Sequence, residues 1–172
     1  MPKSTKKLHM NGPLKDLLVV DLTRVLVGPY CTMILSDLGA RVIKIEAPEI
    51  GDDSRKFGPF VKDYSAYFMS LNRGKESIAL NLKNNDDKKI FEKILSKADI
   101  LVENFKPGTL EKWGFGWKQV SKKYPKLIYA SASGFGQTGP LKELPAYDMV
   151  VQGMGWLMSV TGQPNSEPTR VG

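Results

Sequence analysis

Two short apolar runs, LLVVDL (residues 17–22) and RVIKIE (residues 41–46), flank one segment of helical period, and this arrangement constrains the fold more than any other feature. Both runs are rich in β-branched residues, which suit a pleated strand. Between them, GPYCTMILSDLGA sets Pro29 at a first helical position, spaces Met33, Ile34 and Leu38 along one face, and offers Gly39 to close the helix. A helix joining two strands is a crossover, and a crossover makes its strands parallel. The connections are too short for an antiparallel alternative.

The alternation continues downstream. SIALNL (residues 77–82) reads as a strand, and NNDDKKIFEKILSKA as a helix with acids in its first turn and Ile90, Phe91, Ile94 and Leu95 on one face. DILVENF (residues 99–105) is a strand ending in a polar pair. Two short helices, GTLEKWG and WKQVSKKYP, precede the strand KLIYASAS, and PAYDMVVQGMGWLMSV predicts a last helix despite Gly153 and Gly155. Residues 47–63, rich in Gly, Asp and Pro, form a long loop of the kind that often carries function. Residues 1–12 read as a flexible tail. Strands alternating with helices predict an α/β fold, a mostly parallel sheet covered by helices on both faces. A length of 172 residues suits one domain.

Composition removes several chemistries. His9, in the tail, is the single histidine, so Ser-His-Asp and Cys-His catalysis and histidine-ligated metals find no residues in this chain. Cys31 is the single cysteine, which leaves neither an internal disulfide nor a cysteine-based zinc site. No metal is expected. No apolar run approaches the roughly 20 residues that span a bilayer, and MPKSTKKLHMNG lacks the apolar stretch of a secretory signal. A cytoplasmic address and no membrane partner are expected. The net charge of +7 comes from twenty lysines and five arginines, and the lysines are spread among acids. Nucleic-acid readers tend to cluster arginine with exposed aromatics, so no nucleic-acid partner is expected. A solvated surface and attraction of a small anionic ligand both fit the charge.

Among the motifs, GFGQTG has the G-x-G-x-x-G spacing, but Pro140 and Pro145 follow where a helix should open, and no nicotinamide site is predicted. In VENFKPG, Asn104 and Phe105 end a strand where open α/β sheets bind ligands. They read either as a base-binding amide and ring or as a turn beside a core phenylalanine. Arg73 and Lys75 in NRGKESIAL suit a phosphate or an exposed turn. Cys31, among apolar neighbours, reads as a small core residue rather than an activated thiol.

Taken in order, VVDLTRVLVGPYCTMILSDLGARVIKIE, GDDSRKFGPF, LNRGKESIALNLK, KADILVENFKPGTLEKWGFGW, LIYASASGFGQTGP and PAYDMVVQGMGWLMSVTGQP resemble the family III CoA-transferases from about Gly12 to Gly172. This is the group that includes formyl-CoA transferase, carnitine CoA-transferase and α-methylacyl-CoA racemase. The resemblance implies the N-terminal part of a Rossmann-like large domain, in a longer protein whose two chains interlock as a homodimer. It also implies transfer of CoA between carboxylic acids, with acyl-CoA as substrate, through an aspartyl-CoA thioester. The family's nucleophilic aspartate follows shortly after the R-x-G that corresponds to Arg170–Gly172. TRVG therefore looks like a cut before that carboxylate, and a chain without it is expected to be inactive.

By position, the resemblance assigns Val25, Val27, Leu80, Lys83, Asn104, Phe105, Lys112 and Trp113 to the CoA site, with Lys83 meeting phosphate and Asn104 and Phe105 on the adenine side. Lys112 stands where some members have arginine, and Ala47 where some have a CoA-contacting arginine. Tyr147 and Asp148 match a supporting pair beside the reacting acyl group. Racemases carry a histidine in that pair. Tyr147 replaces it here, which favours transferase over racemase. The alternatives are an acyl-CoA or nucleotide-binding module without catalysis and an acyl-CoA racemase of the same family.

Overall fold

The computed structural model describes residues 11–171. His9 and most of the expected tail lie outside them, while Gly12 packs directly on the backbone of Leu38 and Gly39. The chain divides after Ala132 into two compact units. In the first, β1 (Leu18–Asp21) passes through α1 (Val27–Asp37) into β2 (Arg41–Glu46). A 3-10 turn at Asp53–Lys56 and a hairpin of β3 (Phe60–Val61) and β4 (Tyr64–Ser65) occupy the long loop before α2 (Ala66–Asn72). There follow β5 (Glu76–Ala79), α3 (Asn85–Leu95), β6 (Ile100–Glu103), α4 (Thr109–Trp113), α5 (Trp117–Lys123) and β7 (Ile128–Ser131). The second unit holds α6 (Asp148–Met154) and a 3-10 turn at Leu157–Ser159.

Five strands make one sheet in the order β5-β2-β1-β6-β7, and every neighbouring pair is parallel. The pleat sends successive side chains to opposite faces. Val20, Ile45 and Leu101 meet Phe91 and Leu95 of α3, Leu110 of α4 and Val120 of α5. Val19, Val42 and Val102 face the other way, with Leu35 of α1 packed among them. Both faces are covered, as the alternating sequence predicts. The α3 helix starts where Asn84 accepts the Asp86 N–H and two acids meet the helix dipole. Among the described residues, no helix is long and apolar enough to cross a membrane.

Three local expectations change. The strand expected over residues 77–82 ends at Ala79, because the Asn81 side chain accepts the Lys83 N–H and its own N–H donates to Asp87, which turns the chain. The last helix stops at Met154, and Trp156 takes a left-handed φ of 65° just after Gly155. Cys31 is exposed, since Gly28, Pro29, Thr32 and Met33 form the buried face of α1 and position 31 falls outside it.

Candidate functional site

A cleft of about 760 Å³ lies over the C-terminal ends of β1, β2, β5 and β6, the edge where parallel sheets receive ligands. Leu22, Ile45, Leu80 and Leu82 give it an apolar lining, and Phe105 and Trp113 an aromatic one. Those two rings meet edge to face, with centroids 5.3 Å apart. Arg24, Lys83 and Lys106 bring cations to its wall. Arg24 pairs with Asp53, whereas Lys83 and Lys106 are exposed and make no ion pair among the described residues. An apolar floor under free ammonium groups suits a ligand with a flat, dry portion and anionic substituents.

Of the residues assigned to CoA, Leu80, Lys83, Phe105 and Trp113 line this cleft. Val25, Val27, Asn104 and Lys112 do not. Val27 opens α1 and is 68% exposed, and Lys112 lies exposed on α4. The Asn104 amide clamps the loop between β1 and α1: its Oδ1 accepts the Arg24 N–H and its Nδ2 donates to the Arg24 carbonyl, both at 2.8 Å. Asn104 therefore shapes the rim of the cleft through Arg24.

A buried charge network beneath this edge is not legible in the sequence. Asp21, Lys44, Asp52 and Lys75 each have side chains no more than 1% exposed. Lys44 Nζ lies 2.9 Å from Asp52 Oδ2, close enough for an ion pair although off the hydrogen-bond direction. Lys75 Nζ donates to Asp21, to the Pro29 carbonyl and to Asn72. It is thus neither a phosphate ligand nor part of an exposed turn, and Arg73 pairs with Asp37 instead. Burial pushes the Lys75 ammonium below the ordinary lysine range, against the pull of Asp21. Burial pushes the Asp52 carboxyl up, but Lys44 and the Ser54 hydrogen bonds together override it and hold the group below its ordinary range. Glu46 ends on the low side for the same kind of reason: Arg55 and Ser77 outweigh its desolvation.

Glu103, at the tip of β6, is the exception. Burial lifts its carboxyl above the usual range, Glu111 adds to the rise, and hydrogen bonds from the Ser131 hydroxyl and the Phe105 N–H do not offset it. A carboxyl whose folded pKa exceeds the unfolded value of about 4.3 stabilises the fold fully below that value and loses the contribution as pH rises through the folded value. Glu103→Gln is therefore expected to raise the urea midpoint at pH 8 and to leave it unchanged near pH 4. A difference independent of pH would contradict the assignment.

In the second unit, Tyr147 caps α6 and is 73% exposed, and Asp148 is the first residue of that helix. Asp148 accepts from Gln152 Nε2 at 2.6 Å, while Gln152 also exchanges hydrogen bonds with both backbone groups of Val171. Asp148 is thus fixed by a neighbour that ties α6 to residue 171.

The chain matches the family described as CoA-transferase family III over residues 14–172. It is 58% identical to the acetyl-CoA:oxalate CoA-transferase of Acetobacter aceti, over 94% of this chain and 41% of that protein. It is 45% identical to the human succinyl-CoA:glutarate CoA-transferase, over 93% of this chain and 37% of that protein. Among solved structures, a CAIB/BAIF family protein from Brucella suis superposes with a TM-score of 0.88 at 44% identity, over 94% of this chain and 44% of that one. The chain spans about two fifths of the length of the curated relatives it matches.

Proposed function

The chain belongs to CoA-transferase family III, and we propose that it forms the part of such an enzyme that holds the CoA thioester over the sheet edge while CoA moves between two carboxylic acids. The observation that carries this reading is the cleft over the strand tips, apolar and aromatic within and lysine-bearing at its wall. Phe105 and Trp113 supply flat faces for the adenine, and Lys83 an ammonium for phosphate. Short dicarboxylic acids are the proposed acyl partners. The named relatives act on oxalate and glutarate.

In this mechanism a carboxylate attacks the thioester to give a mixed anhydride and a CoA thiolate. The thiolate then attacks the enzyme carbonyl of the anhydride, releasing the donor acid and leaving an enzyme-bound thioester. The acceptor carboxylate displaces the thiolate to form a second anhydride. The thiolate attacks its acceptor carbonyl, giving the new acyl-CoA and restoring the enzyme carboxylate. Of the three carboxylates in the cleft wall, Glu46, Glu49 and Asp52, the two buried ones, Glu46 and Asp52, are unsuited to that attack. Glu46 is held bidentately by Arg55 and also by Ser77, and Asp52 accepts from Ser54 and the Val25 N–H and pairs with the Lys44 charge. Such buried, charge-paired carboxylates with lowered pKa are weak nucleophiles. We assign neither Glu46 nor Asp52 to the attack and, following the family resemblance, give it to an aspartate that follows Arg170–Gly172 in a longer, interlocked homodimeric enzyme. Both anhydride and thioester hydrolyse, so the chemistry needs a water-poor pocket.

The test is a CoA-exchange assay run side by side on the 172-residue chain and on a full-length protein containing it. The expected result is CoA binding by both and turnover by the second alone. Binding without turnover in both would favour the non-catalytic module. Lys83→Glu is expected to weaken CoA binding about tenfold, a change of roughly 1.4 kcal/mol, with no shift in melting temperature. Calorimetry at two salt concentrations checks it, and an unchanged affinity would remove Lys83 from the site.

A further inference from the structure

The loop between β1 and α1, residues 22–26, has most of its backbone groups committed. The Leu22 N–H donates to the Val102 carbonyl, and the Thr23 N–H to Asp21 Oδ1. The Thr23 carbonyl accepts from Lys44 Nζ at 2.7 Å. Asn104 holds both groups of Arg24, and the Val25 N–H donates to Asp52 Oδ1 at 3.1 Å. Within this frame Val25 has a φ of 69°. A β-branched residue there is strained and persists only where its surroundings impose it. Gly28 adds a second constraint, since a Cβ at that position would lie 2.3 Å from the Thr23 side chain.

Lys44 and Asp52 grip this loop on either side of Arg24. They are an ion pair, both fully buried, and both line the cleft. A buried ion pair is seldom more stabilising than apolar residues of the same size, so stability alone does not explain why two charges sit here. What an apolar pair cannot do is donate to the Thr23 carbonyl and accept from the Val25 N–H. We propose that Lys44 and Asp52 are positioning residues, whose pair holds the strained β1–α1 loop in the shape that presents the CoA thioester for attack. The proposal rests on the CoA-transfer reading for its catalytic consequence, but not for its structural content.

The experiment uses the double variant Lys44→Met/Asp52→Leu in the full-length protein, which removes both charges and leaves neither unpaired. The expected result has three parts. The protein still unfolds cooperatively, with a melting temperature lowered only modestly by the hydrogen bonds lost at Thr23, Val25 and Ser54. Amide exchange speeds up by about tenfold at Arg24 and Val25 but not in β1 or β2. Turnover falls by about 10²-fold, as for a misplaced reacting group, while KM for the acyl-CoA changes little. Unchanged exchange at residues 24 and 25 would overturn the proposal, and so would a variant that no longer unfolds cooperatively, because the pair would then serve the fold itself. If the parent protein shows no CoA transfer, the functional reading fails. The exchange pattern still decides whether the pair sets the loop.

Discussion

Replacing Asp21 by alanine is expected to destabilise the chain by about 3–5 kcal/mol, the cost of leaving a buried partner charge unpaired. Asp21 is fully buried at the end of β1 and accepts from the Thr23 N–H, the Thr32 hydroxyl at 2.6 Å and Lys75 Nζ at 3.0 Å. Alanine leaves the Thr23 N–H without its acceptor and Lys75 without the carboxylate it touches, while Lys75 keeps the Pro29 carbonyl and Asn72, and Thr32 keeps the Gly28 and Pro29 carbonyls. Burial already disfavours the Lys75 ammonium against the pull of Asp21, and removing Asp21 lowers its pKa further. A lysine with a depressed folded pKa binds more protons when unfolded, and stability then rises with pH. Urea denaturation of the variant should therefore show a deficit that shrinks between pH 7 and pH 10. A loss below about 1 kcal/mol, the ordinary effect of a single substitution, would mean that the network repacks.

Phe91→Ala should cost a similar amount, about 3–5 kcal/mol, for a different reason. Phe91 is completely buried beneath the sheet and meets Phe115 edge to face, with centroids 4.7 Å apart. Truncation removes the ring and leaves a cavity between α3 and the segment after α4, where several short elements share one core. Phe91→Leu, which keeps most of the volume, should cost about 1 kcal/mol. Phe91 does not line the cleft, so CoA affinity measured well below the melting temperature should be unchanged. A matching loss of affinity would show that core and cleft are coupled.

Much of the fold is legible in the chain. Two β-branched runs around one helical segment require a parallel pair, and the same grammar repeated yields the five parallel strands. The cleft is partly legible too: the rule that ligands meet strand ends singles out Phe105, and Leu80, Lys83 and Trp113 line the same cleft. What escapes is the state of the charged residues. In RVIKIE, Lys44 and Glu46 alternate with Val and Ile, a pattern that elsewhere marks a solvated face. Here the face carrying Val42 also packs against α1, and Lys44 is buried.

The sequence by itself determined the strand and helix content, the parallel sense of the sheet and the family, because periodicity, turn residues and an ordered series of motifs are properties of neighbours along the chain. Only the tertiary structure decided that Lys75 answers Asp21 across 54 residues, that Asn104 grips Arg24 across 80, and that Lys44 donates to the Thr23 carbonyl while Asp52 accepts the Val25 N–H. Those contacts form when crossover connections bring distant strand ends to one edge. The worth of a charge there is set by the water it has lost and the partner it has gained, and neither is written next to it in the chain.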